Sequence, residues 1–354
     1  SSGNVAIGYQ ALEDQNTANS NNVAVGYQAA LNLDGGTDSV YMGYSAGGVG
    51  VITGDSNVAI GANAMLDATS AATSVFIGAN SGGEPISGTR SAALTGAGNT
   101  CLGFQTGYKL TTGASNVLIG KDAGVNVTTG NYSTYLGHNA GASTTVEVSN
   151  TYAGYNSGNS VFGAGNVAMG TSSLQGDVFS DNTRSATTAA GQTTVIMDGT
   201  NAAIITGLGV SGVGIAPGSY ITNVPSTNPV TITLNANVAS TIAGGTALSF
   251  YTRVENNVAI GYAAGLNALV GDENTFVGGY AAGLGAVTGD SNVCVGYAAG
   301  YDLTSGASNV LVGRDAGQNV TTGAENVIIG FEACKLGVLA NATGTEGMYN
   351  VVVG

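Results

Sequence analysis

One repeated motif dominates this sequence. The pentapeptide Asn-Val-Ala-Ile-Gly stands at 4–8, and close copies of it end at glycines that are spaced mostly by 17 or 18 residues. These glycines are Gly8, Gly26, Gly43, Gly61, Gly78, Gly103, Gly120, Gly137, Gly154, Gly261, Gly278, Gly296, Gly313, Gly330 and Gly354. A period of this length indicates stacked units that bury their apolar faces against their neighbours. We therefore predict an all-β fold, a parallel β-solenoid with one coil per repeat.

Each copy of the motif is typical of a short strand followed by a turn. In the copy at 57–61, Val58 and Ile60 lie on the same face, because successive side chains of a strand alternate between faces. The position between them is also apolar in nearly every copy, as at Ala6, Tyr41, Phe76, Leu118, Tyr135 and Phe276. A strand that is apolar on both faces is covered on both faces. One face can line the core of the coil, and the other requires a second protein surface.

The simplest second surface is an identical chain, and we predict that three chains bundle into a homotrimer. Closed three-fold packing covers the second apolar face without leaving it open to further association. We expect the large side chains at the central strand position to pack in the core or between the chains. They are Tyr41, Phe76, Tyr135 and Phe276.

Asparagine opens most copies of the strand. It stands at Asn4, Asn22, Asn57, Asn116, Asn257, Asn292, Asn309 and Asn326. Equivalent side chains of stacked coils lie above one another, so these amides are predicted to form a structural ladder of hydrogen bonds. Sugar binding by the same row is the alternative. The strand is followed by Gly-Tyr-x-Ala-Gly, as at 296–300, where glycine allows the chain to turn tightly.

A second level of repetition relates two longer segments. Residues 99–137 match residues 292–330 at a constant offset of 193. Even the Lys-Asp-Ala-Gly at 121–124 is repeated as Arg-Asp-Ala-Gly at 314–317. An array that gains or loses whole segments changes in length, which indicates that length itself is the selected property.

The repeat is interrupted in the second half of the chain. We predict repeats over 1–170 and 257–354, and a small inserted β-rich domain over 171–256, because so long a segment is not a loop of a compact rod. Strands are predicted at 193–197 and 230–234, and a glycine-rich turn region at 210–219.

Any recognition of a partner is expected in the insert, because the repeats present the same small polar residues at every coil. Its aromatic residues Tyr220, Phe250 and Tyr251 are the candidates for binding a host-cell glycan or protein. Packing in the core of the insert is the alternative for all three, and a spacer or a stiffening collar is the alternative role of the insert itself.

Charge limits the partners. The formal net charge is -14, from 7 basic and 21 acidic residues. Nucleic acids and anionic membrane surfaces attract basic patches, so neither is an expected partner. The sequence contains no run of 18 or more apolar residues that would predict insertion into a membrane. The chain begins and ends within a repeat, and we expect it to be a segment of a longer protein.

The sequence offers few groups for catalysis. His138 stands where tyrosine usually follows the strand glycine, and Cys101 and Cys294 share one repeat position, so we interpret all three as variants of the repeat. Paired carboxylates and a Cys/His set for zinc are not recognisable. We predict no enzymatic activity and no cofactor. A structural calcium ion at the equivalent corners of Asp55 and Asp290 is the remaining alternative.

The strands at 57–61 and 292–296 resemble the head repeats of trimeric autotransporter adhesins. That resemblance implies left-handed parallel β-rolls in three-chain bundles. The Gly-Tyr-x-Ala-Gly continuation and the 17–18-residue spacing look more like the long repeats of bacteriophage tail fibres. The insert, with its glycine-rich stretch at 207–218 and Thr-Ile-Thr-Leu at 231–234, is similar to small β-domains of phage virion proteins.

These resemblances imply a structural role. We expect the shaft of an extracellular or virion appendage, most simply a phage tail fibre involved in host attachment. The alternative is a bacterial cell-surface trimeric adhesin or a subunit of an extracellular filament.

Overall fold

The computed structural model describes most of the repeats and part of the insert. The described residues are 3–13, 19–48, 50–83, 93–175, 178–179, 184–185, 190–197, 204, 206–216, 219–227, 230–243, 246–251, 253–335 and 349–354. They form strands and turns and contain no helix. The chain divides into two compact units, Ser1–Asn159 and Ser160–Gly354.

The strands described in the first unit are all repeat strands. They are β1 Val5–Ile7, β2 Val23–Val25, β3 Val40–Met42, β4 Val58–Ile60, β5 Val75–Ile77, β6 Thr100–Leu102, β7 Val117–Ile119, β8 Thr134–Leu136 and β9 Thr151–Ala153.

The second unit contains repeat strands and the strands of the insert. The repeat strands are β10 Val167–Met169, β19 Val258–Ile260, β20 Thr275–Val277, β21 Val293–Val295, β22 Val310–Val312, β23 Val327–Ile329 and β24 Val351–Val353. The insert strands are β11 Val178–Phe179, β12 Arg184–Ser185, β13 Thr194–Ile196, β14 Gly209–Ser211, β15 Ile221–Thr227, β16 Val230–Leu234, β17 Thr246–Ala247 and β18 Ser249–Tyr251.

Successive repeat strands pair in parallel and in register. In the first unit, β1 to β9 follow one another in a single sheet, and each central residue pairs with the central residue of the next coil. In the second unit, β10 pairs with β19, and β19 to β24 then follow in order. The prediction of an all-β parallel solenoid, with one coil per repeat, is confirmed.

The central residue of each repeat strand points into the coil. Tyr41, Phe76, Tyr135 and Phe276 have at most 1% of their surface exposed within a single chain. Smaller residues at the same position, such as Ala59, are equally buried. The sequence left open whether the large side chains pack in the core or between chains, and the structure places them in the core. The first and third strand residues therefore form the outer face.

The asparagine row lies inside the coil as a hydrogen-bonded ladder. The backbone N–H of Asn116 donates to Oδ1 of Asn99 at 3.0 Å, and its Nδ2 donates to the carbonyl of Gly130 at 2.8 Å. Its Oδ1 accepts the N–H of Ser133 at 3.0 Å. Because these polar groups are fully buried and bonded, they escape the penalty of unsatisfied burial.

All eight predicted asparagines take part in this ladder, which also includes positions that sequence reasoning missed. Asn99 and Asn274 are equivalent members, and serine replaces asparagine at Ser39, Ser74 and Ser133. The hydroxyl of Ser39, for example, accepts the N–H of Asn57 at 2.9 Å. A hydroxyl can therefore replace the amide without breaking the row.

The glycine after each strand is required by the stacking distance. Gly61 has a φ of +131°, and a Cβ added there would lie 2.7 Å from the carbonyl carbon of Gly78 in the next coil. Two residues later a non-glycine residue adopts the left-handed conformation, as at Asn63 with a φ of +56°. Such a residue costs about 1–2 kcal/mol. The stack stabilises it through hydrogen bonds such as that from Asn63 N–H to the Tyr44 carbonyl, at 2.8 Å.

The insert has an antiparallel fold and a core of its own. Strand β16 pairs with β13 and β15, β18 pairs with β11 and β14, and β12 pairs with β17. The buried cluster comprises Val195, Met197, Ile204, Leu208, Val210, Ile221, Ile232, Leu234, Val238, Ile242, Leu248 and Phe250. Val270, which belongs to a repeat coil of the same unit, packs against this cluster.

The repeat continues slightly further into the predicted insert from both sides. Leu174 is buried, and its N–H donates to the carbonyl of Ala264 in the next coil at 2.8 Å. Where the chain re-enters the coils after the insert, the N–H of Val254 donates to the carbonyl of Phe162 at 2.8 Å. The Val254 carbonyl then accepts Nδ2 of Asn166, as the Gly130 carbonyl does for Asn116. The part that departs from the coil therefore lies between Leu174 and Val254.

Candidate interaction surface

The outer face of the coils forms a continuous apolar surface in each unit. We call it the outer strip, and it consists of the first and third residues of every repeat strand together with the residue after the strand glycine. The strand positions carry Val, Ile, Leu, Met, Thr or Ala in every described coil. Within the stack, their exposure is 50% at Leu136, 45% at Met169 and 44% at Leu102. Large apolar groups thus face outward along the sheet.

Aromatic residues are the most frequent in the third row of the outer strip, and they are Tyr9, Tyr27, Tyr44, Phe104, Tyr155, Tyr262, Tyr297 and Phe331. Small residues stand at the same position in other coils, at Ala62, Ala79, Thr171 and Gly279. The rings of Tyr9 and Tyr27 are stacked with centroids 5.3 Å apart, and those of Tyr27 and Tyr44 with centroids 5.2 Å apart. This spacing follows from the strand separation of about 4.8 Å. Sequence reasoning treated this tyrosine as a corner residue, although its recurrence after the glycine was the signal for an exposed row.

Another side of the coil is polar. The hydroxyl of Thr111 donates to the carbonyl of Thr128 at 3.1 Å, and that of Thr128 donates to the carbonyl of Thr145 at 3.0 Å. Thr304 and Thr321 make the same contact at 2.9 Å in the second unit. Each coil is therefore amphipathic on its outside, with threonine, serine and glycine at the corners and apolar residues on the outer strip.

Basic residues interrupt the aromatic row at three coils. Lys121 lies 3.2 Å from Oδ2 of Asp122, and Nε2 of His138 lies 3.9 Å from the same oxygen. His138 thus occupies an aromatic position of the strip, and its ring centroid is 5.4 Å from that of Tyr155.

The third interruption is Arg314, the counterpart of Lys121 in the duplicated segment. Its guanidinium lies 5.9 Å from the ring centroid of Tyr297 and 5.6 Å from that of Phe331. Its Nε is 3.4 Å from Oδ2 of Asp315, which also receives Nζ of Lys335 at 3.1 Å.

The three recognition candidates of the insert do not form a common surface in the described residues. Phe250 is buried in the core of the insert, with 1% of its surface exposed. Tyr220 is half-buried, and the Arg253 guanidinium lies over its ring, 4.1 Å from the centroid. The side chain of Tyr251 lies outside the described residues, which show only its place in strand β18.

The buried titratable groups of the coils belong to the core. Burial raises the pKa of the Cys101 thiol and raises that of Cys294 to about 12, so both thiols are poor nucleophiles.

The exposed corner carboxylates make hydrogen bonds to the backbone. Asp55 accepts the N–H of Thr37 at 2.7 Å, and Asp290 accepts the N–H of Asp272 at 2.8 Å. These two corner carboxylates thus bond the backbone of a neighbouring coil. Within the described ranges, no group of three or more His, Cys, Asp or Glu side chains is arranged to hold a metal ion.

The part of the chain that the structure describes includes no helix with the length and hydropathy needed to cross a bilayer.

Comparisons with known proteins gave no further guide to this surface. No protein-family model, no curated protein and no solved structure matches the chain.

Proposed function

We propose that this chain is the structural shaft of an extracellular fibre, built from three identical chains that cover one another's outer strips. The single observation that carries the proposal is the apolar character of the strip on coil after coil of both units. A sheet with one face in water normally carries polar residues on that face. Exposed apolar surfaces of such extent are typical of association sites.

The chemistry of the other surfaces supports a shaft. Threonine and serine corners and a net charge of -14 favour solubility and oppose lateral aggregation of finished fibres. Coils held by ladders of equivalent residues can be added without changing the fold, as the duplication of 99–137 in 292–330 illustrates. Length can therefore be adjusted to the distance that a fibre must span.

The repeats resemble those of phage tail fibres most closely, and we propose attachment of a virion to its host as the setting of this shaft. In this role the rod holds a recognition element at a distance from the particle. Host glycans or surface proteins are the proposed partners of that element.

The test of the shaft is the oligomeric state of Leu136→Asp. Leu136 lies on the outer strip and is 50% exposed, so a charge there is compatible with the folded coil but not with a covered strip. We expect the unsubstituted protein to show three times the chain mass of 34.5 kDa in light scattering, and the variant to show one chain mass with an unchanged circular dichroism spectrum.

The matched control is Ile196→Asp in strand β13 of the insert. Ile196 is 46% exposed but lies outside the strip, so its variant should remain trimeric. A monomeric unsubstituted protein, or equal effects of the two substitutions, would contradict the proposal.

A further inference from the structure

One corner of the coils carries a row of carboxylates in the second unit. The row is the sixth residue before each strand glycine, and it contains Glu255, Asp272 and Asp290 in three successive coils. We call these three residues the carboxylate stack. The coils before and after them have Ala164 and Ala307 in the same row. The carboxylate stack lies outside the outer strip, so its properties do not depend on the proposed trimer.

Backbone hydrogen bonds connect the members of the carboxylate stack. The N–H of Glu255 donates to Oδ1 of Asp272 at 2.6 Å, and the N–H of Asp272 donates to Oδ1 of Asp290 at 2.8 Å. A negative charge is not required for this bond. In the first unit, Oδ1 of Asn131, a neutral amide in the same row, accepts the N–H of Ala114 at 2.7 Å. The charges of the carboxylate stack are therefore additional to its structural role.

These charges lie close together. Successive coils are about 4.8 Å apart, and carboxylates at such a separation repel one another. Among the described residues, Arg253 is the cation beside them. Its guanidinium pairs with Glu255 and also lies over the Tyr220 ring of the insert, 4.1 Å from the centroid. Asp272 thus has a carboxylate on either side, and Glu273 adds a further negative charge at the next position of the chain.

The surroundings of Asp272 disfavour its charge. Burial raises the pKa of this carboxyl above its ordinary value of 3.8, and the charges of Glu255 and Asp290 raise it further. The N–H of Glu255 and the guanidinium of Arg253 lower the pKa, but they do not compensate for the burial and the repulsion. The folded coil therefore binds a proton at Asp272 more readily than the unfolded chain does.

We propose that the carboxylate stack is a pH-sensitive element, which stabilises the coils that follow the insert when it takes up a proton. The stabilisation is fully present below the ordinary pKa of Asp272 and is lost as the pH rises through the higher pKa of the folded coil. Carboxylates that form ion pairs act in the opposite direction, because acid weakens them. The coil of Glu255 is the one in which the chain re-enters from the insert, so the effect acts where the insert is attached.

The test is Asp272→Asn, which keeps the oxygen that accepts the N–H of Glu255 but removes the charge. Thermal unfolding of the full chain, followed by circular dichroism, is compared with that of the unsubstituted protein. At pH 7 we expect the variant to unfold at a temperature about 2–4 °C higher. At pH 4 the difference should disappear, because Asp272 of the unsubstituted protein is then protonated in the folded coil.

Two further variants show whether the gain belongs to the carboxylate stack. Asp290→Asn removes one neighbouring charge and keeps Asp272, so it should give a smaller gain at pH 7. The control is Asp55→Asn in the first unit. Asp55 accepts the N–H of Thr37 at 2.7 Å in the same row, but its neighbours in that row are Thr37 and Ala72. This variant should not unfold at a higher temperature at pH 7.

The expected pattern is a gain at pH 7 in Asp272→Asn that is absent at pH 4 and absent in Asp55→Asn. No gain at pH 7 overturns the inference. Failure of Asp272→Asn to fold also overturns it, because the carboxylate would then have a structural role that Asn131 performs without charge. A gain that persists at pH 4, or an equal gain in Asp55→Asn, overturns it as well, since neither result depends on a proton taken up by the carboxylate stack.

Discussion

The repeat coils and the insert bury one face of their strands in the same way but carry different residues on the opposite face. In the insert strand Val230–Leu234, Ile232 and Leu234 are buried, and Thr231 and Thr233, which alternate with them, are partly exposed. In the repeat strand Val75–Ile77, Phe76 is buried and the outward residues are valine and isoleucine. Both are strands of one chain with similar β propensity. The apolar outer residues of the coils are therefore a property of the repeats and mark a surface that the insert does not need.

The largest expected difference between the two regions is the effect of a charge in the core. Phe76→Asp places a carboxylate among stacked coils, whereas Phe250→Asp places it in the separate core of the insert. Each buried charge costs about 4 kcal/mol or more. We expect Phe76→Asp to abolish the cooperative unfolding transition of the repeats, and Phe250→Asp to leave that transition in place. Circular dichroism during thermal unfolding measures both, and equal loss in the two variants would contradict the separation of the cores.

The second largest effect is expected from alkaline pH, which should lower the unfolding free energy of the coils. Burial raises the pKa of Tyr41 and Tyr135 from 10.0 to about 12, because the folded core disfavours the phenolate. The stability linked to these protons is fully present below pH 10 and is lost as the pH rises towards 12, by up to about 3 kcal/mol for each tyrosine. Unfolding in urea at pH 9 and pH 12 measures the loss. The variant Tyr41→Phe/Tyr135→Phe should show a smaller loss. A pH dependence of this variant equal to that of the unsubstituted protein would contradict the explanation.

The asparagine ladder should show a smaller, graded effect. Oδ1 of Asn309 accepts both the N–H and Nδ2 of Asn326 at 3.0 Å, and its own Nδ2 donates to the Gly323 carbonyl at 2.8 Å. Asn309→Ala leaves buried groups unpaired and should cost about 2–3 kcal/mol of unfolding free energy. Asn309→Ser should cost less, because serine already serves the ladder at Ser39 and Ser74. Equal losses in the two variants would show that hydrogen bonding is not the cause.

The smallest effect is expected from removal of the insert. Residues 176–252 can be replaced by the linker of an ordinary coil, Asn-Val-Thr at 126–128, because Leu174 and Val254 already lie within the stack. The repeats should keep their unfolding temperature, apart from a small loss at Val270, which the insert core covers. Unfolding of the repeats in the deletion variant, detected by circular dichroism, would make the insert an integral part of the solenoid.

The sequence was sufficient to predict the coil because each stacking requirement acts on one recurrent position. Gly61 is required by the close carbonyl of Gly78, and Asn116 by the buried amide ladder, so both types of residue recur with the period. The sequence did not show which residues of each strand face the core. Apolar residues occupy all three strand positions, and only the structure shows that Phe76 faces inward and Val75 and Ile77 outward. Left-handed Asn63 and Ser45 were also not predicted, since neighbouring coils impose that conformation on several residue types.

The candidate surface in the insert was predicted from residue type alone, and this had less predictive value. Aromatic residues serve cores and binding surfaces equally well, as Phe250 in the core and Tyr220 beneath Arg253 illustrate. No period relates these residues to a fixed environment. The exposed tyrosine row of the coils, in contrast, was present in the repeat and could have been recognised from its recurrence.

Each coil contains far more chain than the distance by which it advances the stack, and this difference determines how the repeats extend under tension. A coil of 17 residues advances the stack by about 4.8 Å, whereas the same residues span about 58 Å when extended. A coil that unwinds under tension therefore lengthens the chain by about 50 Å while its neighbours remain intact. Because each coil is held by its own set of bonds to the next, the chain can yield one coil at a time and rewind when the load falls. An appendage built in this way would absorb a pull as a series of small extensions before it breaks.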